Sequence, residues 1–586
     1  MNSKSAVPIL VASMIIALIA GIVLDGWARG TGDSAVSGGT SAAANTEQLD
    51  HDVFVKDKVV DVKITIDPDE FQSMLDNASA EEFKSATVEY NGIKLDNVGI
   101  RTKGNLSLRS VVSMPDSDRY SFKLSFDEYI SNQTLLGLTK ININNNYSDA
   151  TYMREFLTYE LAESMGLPTP KYSYVNVYVN GELKGFYLAV EQIGDSYLER
   201  NFGNAYGALY KGIMGNGSDL LYAGDSESDY PGLSRKSEKS NDDVLIDMIK
   251  ELNSGTDYES VINVEDALGY IALNAVTTNT DSYIGSNKQN YYLYEDEGIF
   301  SILPWDYNMA FGGLGSNSSL MIDEPTDGAL SERPLVDKLL KVGAYKTRYH
   351  EIIEYMLNTY LKDDVFQARV KQLSELIAAH VKADPTAFYT YDQYEQGVQQ
   401  LLSFTSTRVA NVAGQLDGTV KSSGDGSGNG GGMRGGGMGR GGRNNVAANG
   451  QNNAAAAGQN GEAMQGGGQG NAGAGQNGQV MQGGGQGNAE AGQNGQAMQG
   501  GGQGNAGAGQ NGQVMQGGGQ GNAGAGQNGQ AVQGGVQGNA GAGQNGQAMQ
   551  GGGQGNAGAG QNGQVMQGGG QGNAGAGQNG QVMQGG

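Results

Sequence analysis

The chain has 586 residues, with 37 basic and 62 acidic side chains, three histidines and no cysteine. The lack of cysteine excludes disulfide scaffolds, thiolate metal sites and cysteine nucleophiles, and three scattered histidines argue against a His-rich metal site or a Ser-His-Asp triad. The net charge of −25 argues against binding to the phosphates of nucleic acids.

The N-terminus carries an uncharged apolar run, residues 8–24. As a helix this run would span about 26 Å, close to the thickness of a bilayer core. Lys4 precedes the run and Asp25 follows it, which predicts that the rest of the chain lies outside the cytoplasm. Residues 1–28 are therefore predicted to be a signal peptide or a membrane anchor, and residues 29–50 a small-residue linker.

The next part of the chain alternates between apolar and polar residues, which is typical of strands. Strands are predicted at 58–67 and 120–129, and hairpins with Asn-Gly turns at 86–104 and 174–193. One helix, over residues 151–165, interrupts this β-rich half.

From about residue 240 the apolar spacing becomes helical. Helices are predicted at 242–253, 264–277, 334–361, 363–381 and 389–412. A β-rich half over 51–193 followed by a helical half over 194–420 predicts a two-lobed α+β domain rather than a doubly wound sheet.

Residues 277–312 bring together polar groups that could carry chemistry. A polar loop with Asp281 leads into a hairpin that begins after Asn290, and Asp306 follows the second strand. Pairing of the two strands would place these three side chains at the same end of the hairpin.

Two carboxylates and a carboxamide, without histidine or cysteine, suit Mg²⁺ or Mn²⁺. Such a cation usually takes some of its ligands from substrate phosphates, which points to phosphoryl transfer. The alternative interpretation is that Asp281 and Asp306 are ordinary turn and cap residues.

The C-terminal residues 421–586 contain no Phe, Tyr, Trp, Leu, Ile or Pro. From Met464 to Met583 they repeat every 17 residues as Gly, Gln, Asn and Ala with one Met or Val. Because such a sequence offers little apolar surface to offset the loss of chain entropy, we expect a disordered tail, with possible self-association through its amide groups.

Several segments between residues 90 and 312 resemble the CotH family of atypical kinases from spore coats. The matching segments are RTKGNLSLRS (101–110), YSFKLSF (120–126), LLGLTKININNNYSDATYMREFL (135–157), VNVYVNGELKGFYLAVEQI (175–193), LERNFGN (198–204), DSYIGSNKQNYYLY (281–294) and ILPWDYNMAFG (302–312). The resemblance implies an atypical protein-kinase-like fold, with a β-rich N-lobe and a helical C-lobe. It also implies ATP, a divalent metal ion and phosphorylation of Ser or Thr.

The same resemblance implies roles for the polar groups of the hairpin. Asp281 matches the catalytic aspartate that orients or deprotonates the acceptor hydroxyl. Asp306 matches the metal-binding aspartate, and Asn290, with Asn287 as the alternative, matches the second metal ligand. No His-Arg-Asp triplet is present, since Thr280 precedes the catalytic position.

Lys123 is the candidate for the lysine that contacts the phosphates, with an ordinary exposed strand lysine as the alternative. Its expected partner is a glutamate of the 151–165 helix. Glu160 falls within the apolar stripe of that helix, which favours it on geometry, because an inward carboxylate needs a partner. The Met-Arg-Glu motif of the family favours Glu155 instead.

Two further segments are expected to border the nucleotide. The loop with Arg101, Lys103 and Gly104 could lie over the phosphates, although a plain β-turn with basic residues has the same appearance. Glu191 ends the second long hairpin and is expected at the hinge between the lobes.

The leading hypothesis is a kinase that phosphorylates Ser or Thr of spore coat or surface proteins and uses ATP with Mg²⁺ or Mn²⁺. It would act outside the cytoplasm or in the spore coat, with residues 1–28 as its signal peptide or membrane anchor. The alternative hypothesis is a non-catalytic coat or surface scaffold that keeps a kinase-like fold.

Overall fold

The computed structural model describes residues 39–238, 242–314 and 318–429, together with short segments between residues 446 and 584. The predicted apolar run at 8–24 lies outside these residues. Among the helices that are described, none has both the length and the apolar character needed to cross a membrane. The chain separates into two units, residues 1–432 and residues 433–586.

The first unit begins with helix α1, Gly39–Asp52, in a region predicted to be a linker. Leu49 is buried, as are Val53 and Phe54 directly after the helix, and Asp50 forms an ion pair with Lys171. The linker prediction is therefore wrong for residues 39–50. Residues 42–44, three of the small residues that suggested flexibility, are Ala, which favours a helix once a few apolar side chains anchor it.

Seven strands then close into a barrel in the order β1-β2-β3-β4-β5-β7-β6, and β6 pairs in parallel with β1. The strands are β1 Val60–Thr65, β2 Lys84–Tyr90, β3 Ile93–Lys103, β4 Ser121–Ser125, β5 Lys140–Asn144, β6 Tyr172–Val179 and β7 Glu182–Glu191. Three helices, α2 Pro68–Asp76, α3 Leu106–Val112 and α4 Arg154–Ser164, interrupt them. Both predicted Asn-Gly turns are present, and Asn91 and Asn180 adopt the left-handed conformation that such turns require.

The register of the barrel places polar side chains in one row. Arg101 of β3 pairs with Lys123 of β4, and Lys123 pairs with Asn142 of β5. Their sequence neighbours Ile100, Phe122 and similar residues are buried in the barrel core. Because side chains alternate along a strand, the polar row points away from that core.

The rest of the first unit combines a small sheet with helices. The sheet has the order β11-β10-β8-β9, formed by β8 Leu209–Gly212, β9 Leu233–Arg235, β10 Tyr291–Asp296 and β11 Ile299–Pro304. The helices are α5 Asp195–Phe202, α6 Asp242–Ser254, α7 Val264–Val276, α8 Pro334–Lys341, α9 Gly343–Asn358, α10 Asp363–Ala383 and α11 Tyr391–Leu416. The predicted α+β class is confirmed.

Two predicted boundaries differ from the structure. The single helix predicted at 334–361 is split into α8 and α9, because Val342 is extended and interrupts the helical hydrogen bonds. The first unit is also ordered beyond residue 420, since the amide nitrogen of Asn429 donates to the carbonyl of Thr326.

The described segments of the second unit are short parallel strands that pair at intervals of 17 residues. One series forms a nine-stranded sheet: Val446–Ala448, Glu462–Gln465, Gln479–Gln482, Gln496–Gln499, Gln513–Gln516, Gln530–Gln533, Gln547–Gln550, Gln564–Gln567 and Gln581–Gln584. The other forms an eight-stranded sheet: Ala455–Ala457, Ala472–Ala474, Ala489–Ala491, Ala506–Ala508, Ala523–Ala525, Ala540–Ala542, Ala557–Ala559 and Ala574–Ala576. We call this β-solenoid-like arrangement the repeat coil.

Equivalent residues of successive turns stack in the repeat coil. Val514, Ala531 and Ala548 occupy the same inward position and are fully buried. Asn528, Asn545 and Asn562 form a ladder in which each side-chain amide donates to the preceding one at 2.9 to 3.1 Å. The prediction of disorder is therefore wrong for the described segments, because it treated each repeat alone and omitted the bonds between neighbouring turns.

Candidate active site

A cleft of about 970 Å³ lies between the polar row of the barrel and the loops around the β10–β11 hairpin. Eight residues proposed from the sequence line it: Arg101, Lys103, Gly104, Lys123, Glu155, Asp281, Asn290 and Asp306. Residues that are up to about 200 positions apart in the chain are thus gathered in one cavity. The size is sufficient for a nucleotide, since ligand pockets usually measure about 300–1,000 Å³.

The barrel side of the cleft is strongly basic. Burial, together with the nearby positive charges of Lys103 and Arg101, lowers the pKa of Lys123 to about 6. Burial also lowers the pKa of Lys103 to about 8, although the carboxylate of Asp306 opposes this shift. Lysines crowded together in this way favour an anionic ligand, which would compensate their charge.

The predicted partner of Lys123 is not a glutamate of helix α4. Lys123 Nζ donates to Gln192 Oε1 at 2.8 Å. Glu160 instead accepts two hydrogen bonds from Arg369, at 2.7 and 2.8 Å, and one from Tyr360 at 2.6 Å. The preference for Glu160 is therefore wrong, because α4 is buried on nearly all sides and its apolar stripe does not identify the face toward the cleft.

Glu155 is the α4 carboxylate that lines the cleft. Its Oε2 accepts from Asn144 at 3.0 Å and its Oε1 from the hydroxyl of Tyr159 at 3.0 Å. Lys103 Nζ donates to the amide oxygen of Asn144 at 2.9 Å, so one asparagine connects this lysine to the glutamate. Burial and the charge of Asp306 together raise the pKa of Glu155 to about 7.

Asp281 is held by three side-chain amides of the loop that follows it. Gln289 donates to Oδ1 at 2.8 Å and Asn290 to Oδ2 at 3.1 Å. Asn287 donates to Oδ1 at 3.3 Å but is not among the residues that line the cleft. Because Asn290 uses its amide nitrogen on Asp281, its side-chain oxygen is the atom that would serve as a ligand.

Asp306 reaches the same end of the hairpin as Asn290, because Tyr291 pairs with Pro304 in the register of β10 and β11. Asp306 has a φ of +63°, and its amide nitrogen donates to Tyr159 Oη at 3.1 Å. Burial raises the pKa of Asp306, and the charge of Asp281 raises it further, whereas Lys103 opposes the increase. The carboxylate of Asp281 is therefore close enough to Asp306 to disfavour the charged form of Asp306.

Glu191, the border residue predicted at the hinge, lies outside the cleft. Its fully buried side chain accepts from the backbone nitrogen of Lys171 at 2.9 Å and forms an ion pair with Arg200. The next residue, Gln192, lines the cleft in its place. Glu191 and Gln192 face different surroundings because successive side chains of a strand point to opposite sides.

Several cleft residues were missed in the sequence. Lys211 of β8 lies with its Nζ 5.7 Å from the ring of Tyr292 and 5.8 Å from that of Trp305. Asn142 and Asn144 line the cleft because they alternate with buried isoleucines on β5. The alternation of Asn and Ile was visible in the sequence and could have identified the two asparagines. The short β8 segment contains no pattern that distinguishes Lys211 from an ordinary surface lysine.

The donor set fits a hard cation that is shared with phosphates. Among the described residues, no group of three or more His, Cys, Asp or Glu side chains converges as in a metal site built from protein alone. Asp306 and the side-chain oxygen of Asn290 would supply part of an oxygen shell and leave positions for phosphate oxygens and water.

Two comparisons with known proteins agree with this arrangement. The family model described as CotH kinase protein matches residues 100–412, which include the cleft residues named above. The inner spore coat protein H of Bacillus subtilis (strain 168) is 22% identical over 307 residues, which make up 50% of this chain and 82% of that protein.

Proposed function

The chain belongs to the CotH kinase protein family, and on this basis we propose that it transfers the γ-phosphoryl group of ATP to Ser or Thr of spore coat or surface proteins. The observation that carries the proposal is the convergence of buried lysines with Asp281 and Asp306 in one cleft. The barrel and the helical part would form the two lobes of an atypical kinase around that cleft.

Each side of the cleft has a distinct task in this proposal. Lys103, Lys123 and Lys211 bind phosphate oxygens, and the link through Asn144 to Glu155 orients Lys103. Asp281 accepts the proton of the acceptor hydroxyl. The oxygen of that hydroxyl forms a bond to the γ-phosphorus, and the bond between the γ-phosphorus and the leaving oxygen of ADP breaks. A Mg²⁺ or Mn²⁺ ion held by Asp306 and Asn290 would neutralise phosphate charge.

The proposed location follows from the relative. That protein is named as an inner spore coat protein, and we propose the spore coat as the place where this chain acts. Its acceptors would then be coat proteins with exposed Ser or Thr.

Incorporation of phosphate from labelled ATP into coat proteins tests the function directly. We expect Asp281→Asn to lower kcat by at least about a hundredfold while nucleotide still raises the melting temperature. Asp306→Asn should lower both activity and the metal-dependent part of that stabilisation. Both variants remove a charge from the cleft and leave its shape unchanged.

Asp296→Asn is the matched control, because Asp296 lies at the turn end of the same hairpin and contacts Asn204 at 2.9 Å. It should keep wild-type activity. If the wild-type chain transfers no phosphate, and neither nucleotide nor metal changes its melting temperature, the scaffold hypothesis replaces the kinase.

A further inference from the structure

Residues 422–429, with the sequence SSGDGSGN, lie against the body of the first unit, and we call them the Ser/Gly strap. They surround the carboxylate of Glu324, which is only 4% exposed. This carboxylate accepts hydrogen bonds from the hydroxyls of Ser422 and Ser423 and from the backbone nitrogens of Gly424 and Gly426. The last three measure 2.8, 3.0 and 2.7 Å.

All four donors belong to the Ser/Gly strap. Burial alone would raise the pKa of Glu324, but the hydrogen bonds outweigh burial and lower it. A buried carboxylate without such donors is costly, so displacement of the strap would leave Glu324 in an unfavourable environment. A segment with the composition of a flexible linker is thus fixed by one charged side chain.

The end of the strap fixes the segment that carries Glu324. Asn429 donates from its side chain to the carbonyl of Glu324, and its backbone nitrogen donates to Thr326 at 2.8 Å. The backbone nitrogen of Leu330 donates to the carbonyl of Gly426 at 2.9 Å. Residues 324–330 are therefore bound to the strap at both ends.

The same segment holds the loop that follows Asp281. The backbone nitrogen of Asp327 donates to Ile284 at 2.9 Å, and its carboxylate accepts from the nitrogen and the hydroxyl of Ser286, both at 3.2 Å. Arg333, which lies just beyond this segment and is 1% exposed, donates to the carbonyls of Tyr283 and Gly285 at 2.9 and 2.6 Å. These contacts fix the residues that immediately follow the catalytic position.

We propose that Glu324 is a positioning residue, and that docking of the Ser/Gly strap onto it holds the 283–286 segment and thereby aims Asp281 at the acceptor hydroxyl. The effect on catalysis rests on the proposed phosphoryl transfer. The effect of the strap on the order of the 283–286 segment does not depend on phosphoryl transfer, so the two proposals can fail separately.

Two variants of the full chain remove the docking contacts. Glu324→Gln removes the charge with little change of shape, and Ser422→Ala with Ser423→Ala removes two donors from the strap. We expect kcat to fall about tenfold to a hundredfold with less than a twofold change in the KM for ATP, because the cleft lysines are untouched. A merely structural role would instead lower the amount of folded enzyme and leave kcat per folded molecule unchanged.

Hydrogen exchange supplies the readout that does not depend on activity. The amides of Ser286 and Asp327 should exchange faster in both variants, and the increase should extend to the peptide that contains Asp281. Ser423→Thr keeps the hydroxyl and should behave as wild type. Asp417→Asn is the control, since Asp417 accepts from Thr419 in a comparable turn outside these contacts.

Unchanged exchange at Ser286 in both variants would overturn the proposal. Faster exchange with an unchanged kcat would also overturn it, because the strap would then order the loop without aiming Asp281. If the wild-type chain shows no transfer, the spread of exchange to the Asp281 peptide alone decides whether the strap positions this residue.

Discussion

The surroundings of Lys123 in the cleft favour the binding of an anion. Its amine is largely buried beside other cations and has a single hydrogen-bond acceptor in Gln192. The position is unfavourable for a charged lysine in the free protein, and in the proposed function it becomes favourable when phosphates bind. Burial of Lys123 thus lowers the stability of the free protein and, in the proposed function, strengthens the binding of phosphates.

This arrangement predicts a particular dependence of stability on pH. The unfolded chain keeps Lys123 protonated up to its ordinary pKa of 10.5, whereas the folded chain releases the proton at a pKa of about 6. Unfolding therefore takes up a proton between these values, and the stability of the free protein should rise with pH across this window.

Lys123→Met should stabilise the free protein at pH 7 by at least about 1 kcal/mol and flatten this dependence. Urea denaturation of both proteins between pH 6.5 and 9.5 provides the measurement, with the pH values chosen from the shifted pKa. Lys140→Met is a suitable control, because Lys140 is paired with Asp127 at 3.2 Å. Equal slopes for wild type and Lys123→Met would contradict the expected burial cost.

Helix α4 illustrates at the scale of an element what the sequence could and could not predict. Its existence and approximate ends follow from helical spacing, and the hairpins of the barrel follow from alternation and Asn-Gly turns. The faces of α4 do not follow, because seven of its eleven residues are buried and they lie on all sides of the helix. Which carboxylate meets the cleft depends on the position of α10 with Arg369, a contact more than 200 residues away.

The two carboxylates of α4 should therefore respond differently to the same substitution. Glu155→Gln should lower phosphoryl transfer at least tenfold with little loss of stability, because it acts through Asn144 on Lys103. Glu160→Gln should keep activity and lose about 1–3 kcal/mol of stability, because it weakens a partly buried pair with Arg369. Activity assays and denaturation curves of both variants test these expectations. Loss of activity in Glu160→Gln with wild-type activity in Glu155→Gln would instead support Glu160 as the carboxylate that acts on the cleft.

At the scale of the whole molecule, the chain joins two units with different sources of stability. The first unit depends on a large apolar core built from side chains that are distant in sequence. The repeat coil depends on bonds between adjacent turns and on small inward residues. The sequence revealed the period of the repeat, but the stacking of equal turns could not be deduced from the composition of a single one.

Substitutions within one strand test the order of the repeat coil. Ala548 points inward and is fully buried, whereas the adjacent Gln547 is outward and contacts Gln564 at 3.1 Å. Ala548→Glu should disrupt several turns, because a carboxylate cannot be accommodated beside neighbouring backbones. Gln547→Glu should leave the strands intact. Limited proteolysis and circular dichroism of the full chain distinguish the two, and equal resistance in both variants would contradict the stacked arrangement.

The ladders of the repeat coil also restrict how this protein can change its length in evolution. Insertion or loss of one complete turn leaves every Asn and Gln opposite its equivalent and alters the reach of the coil by about 4.8 Å. Any other change in length places unlike residues side by side. Recombination between near-identical coding repeats can therefore produce longer or shorter variants without a new fold.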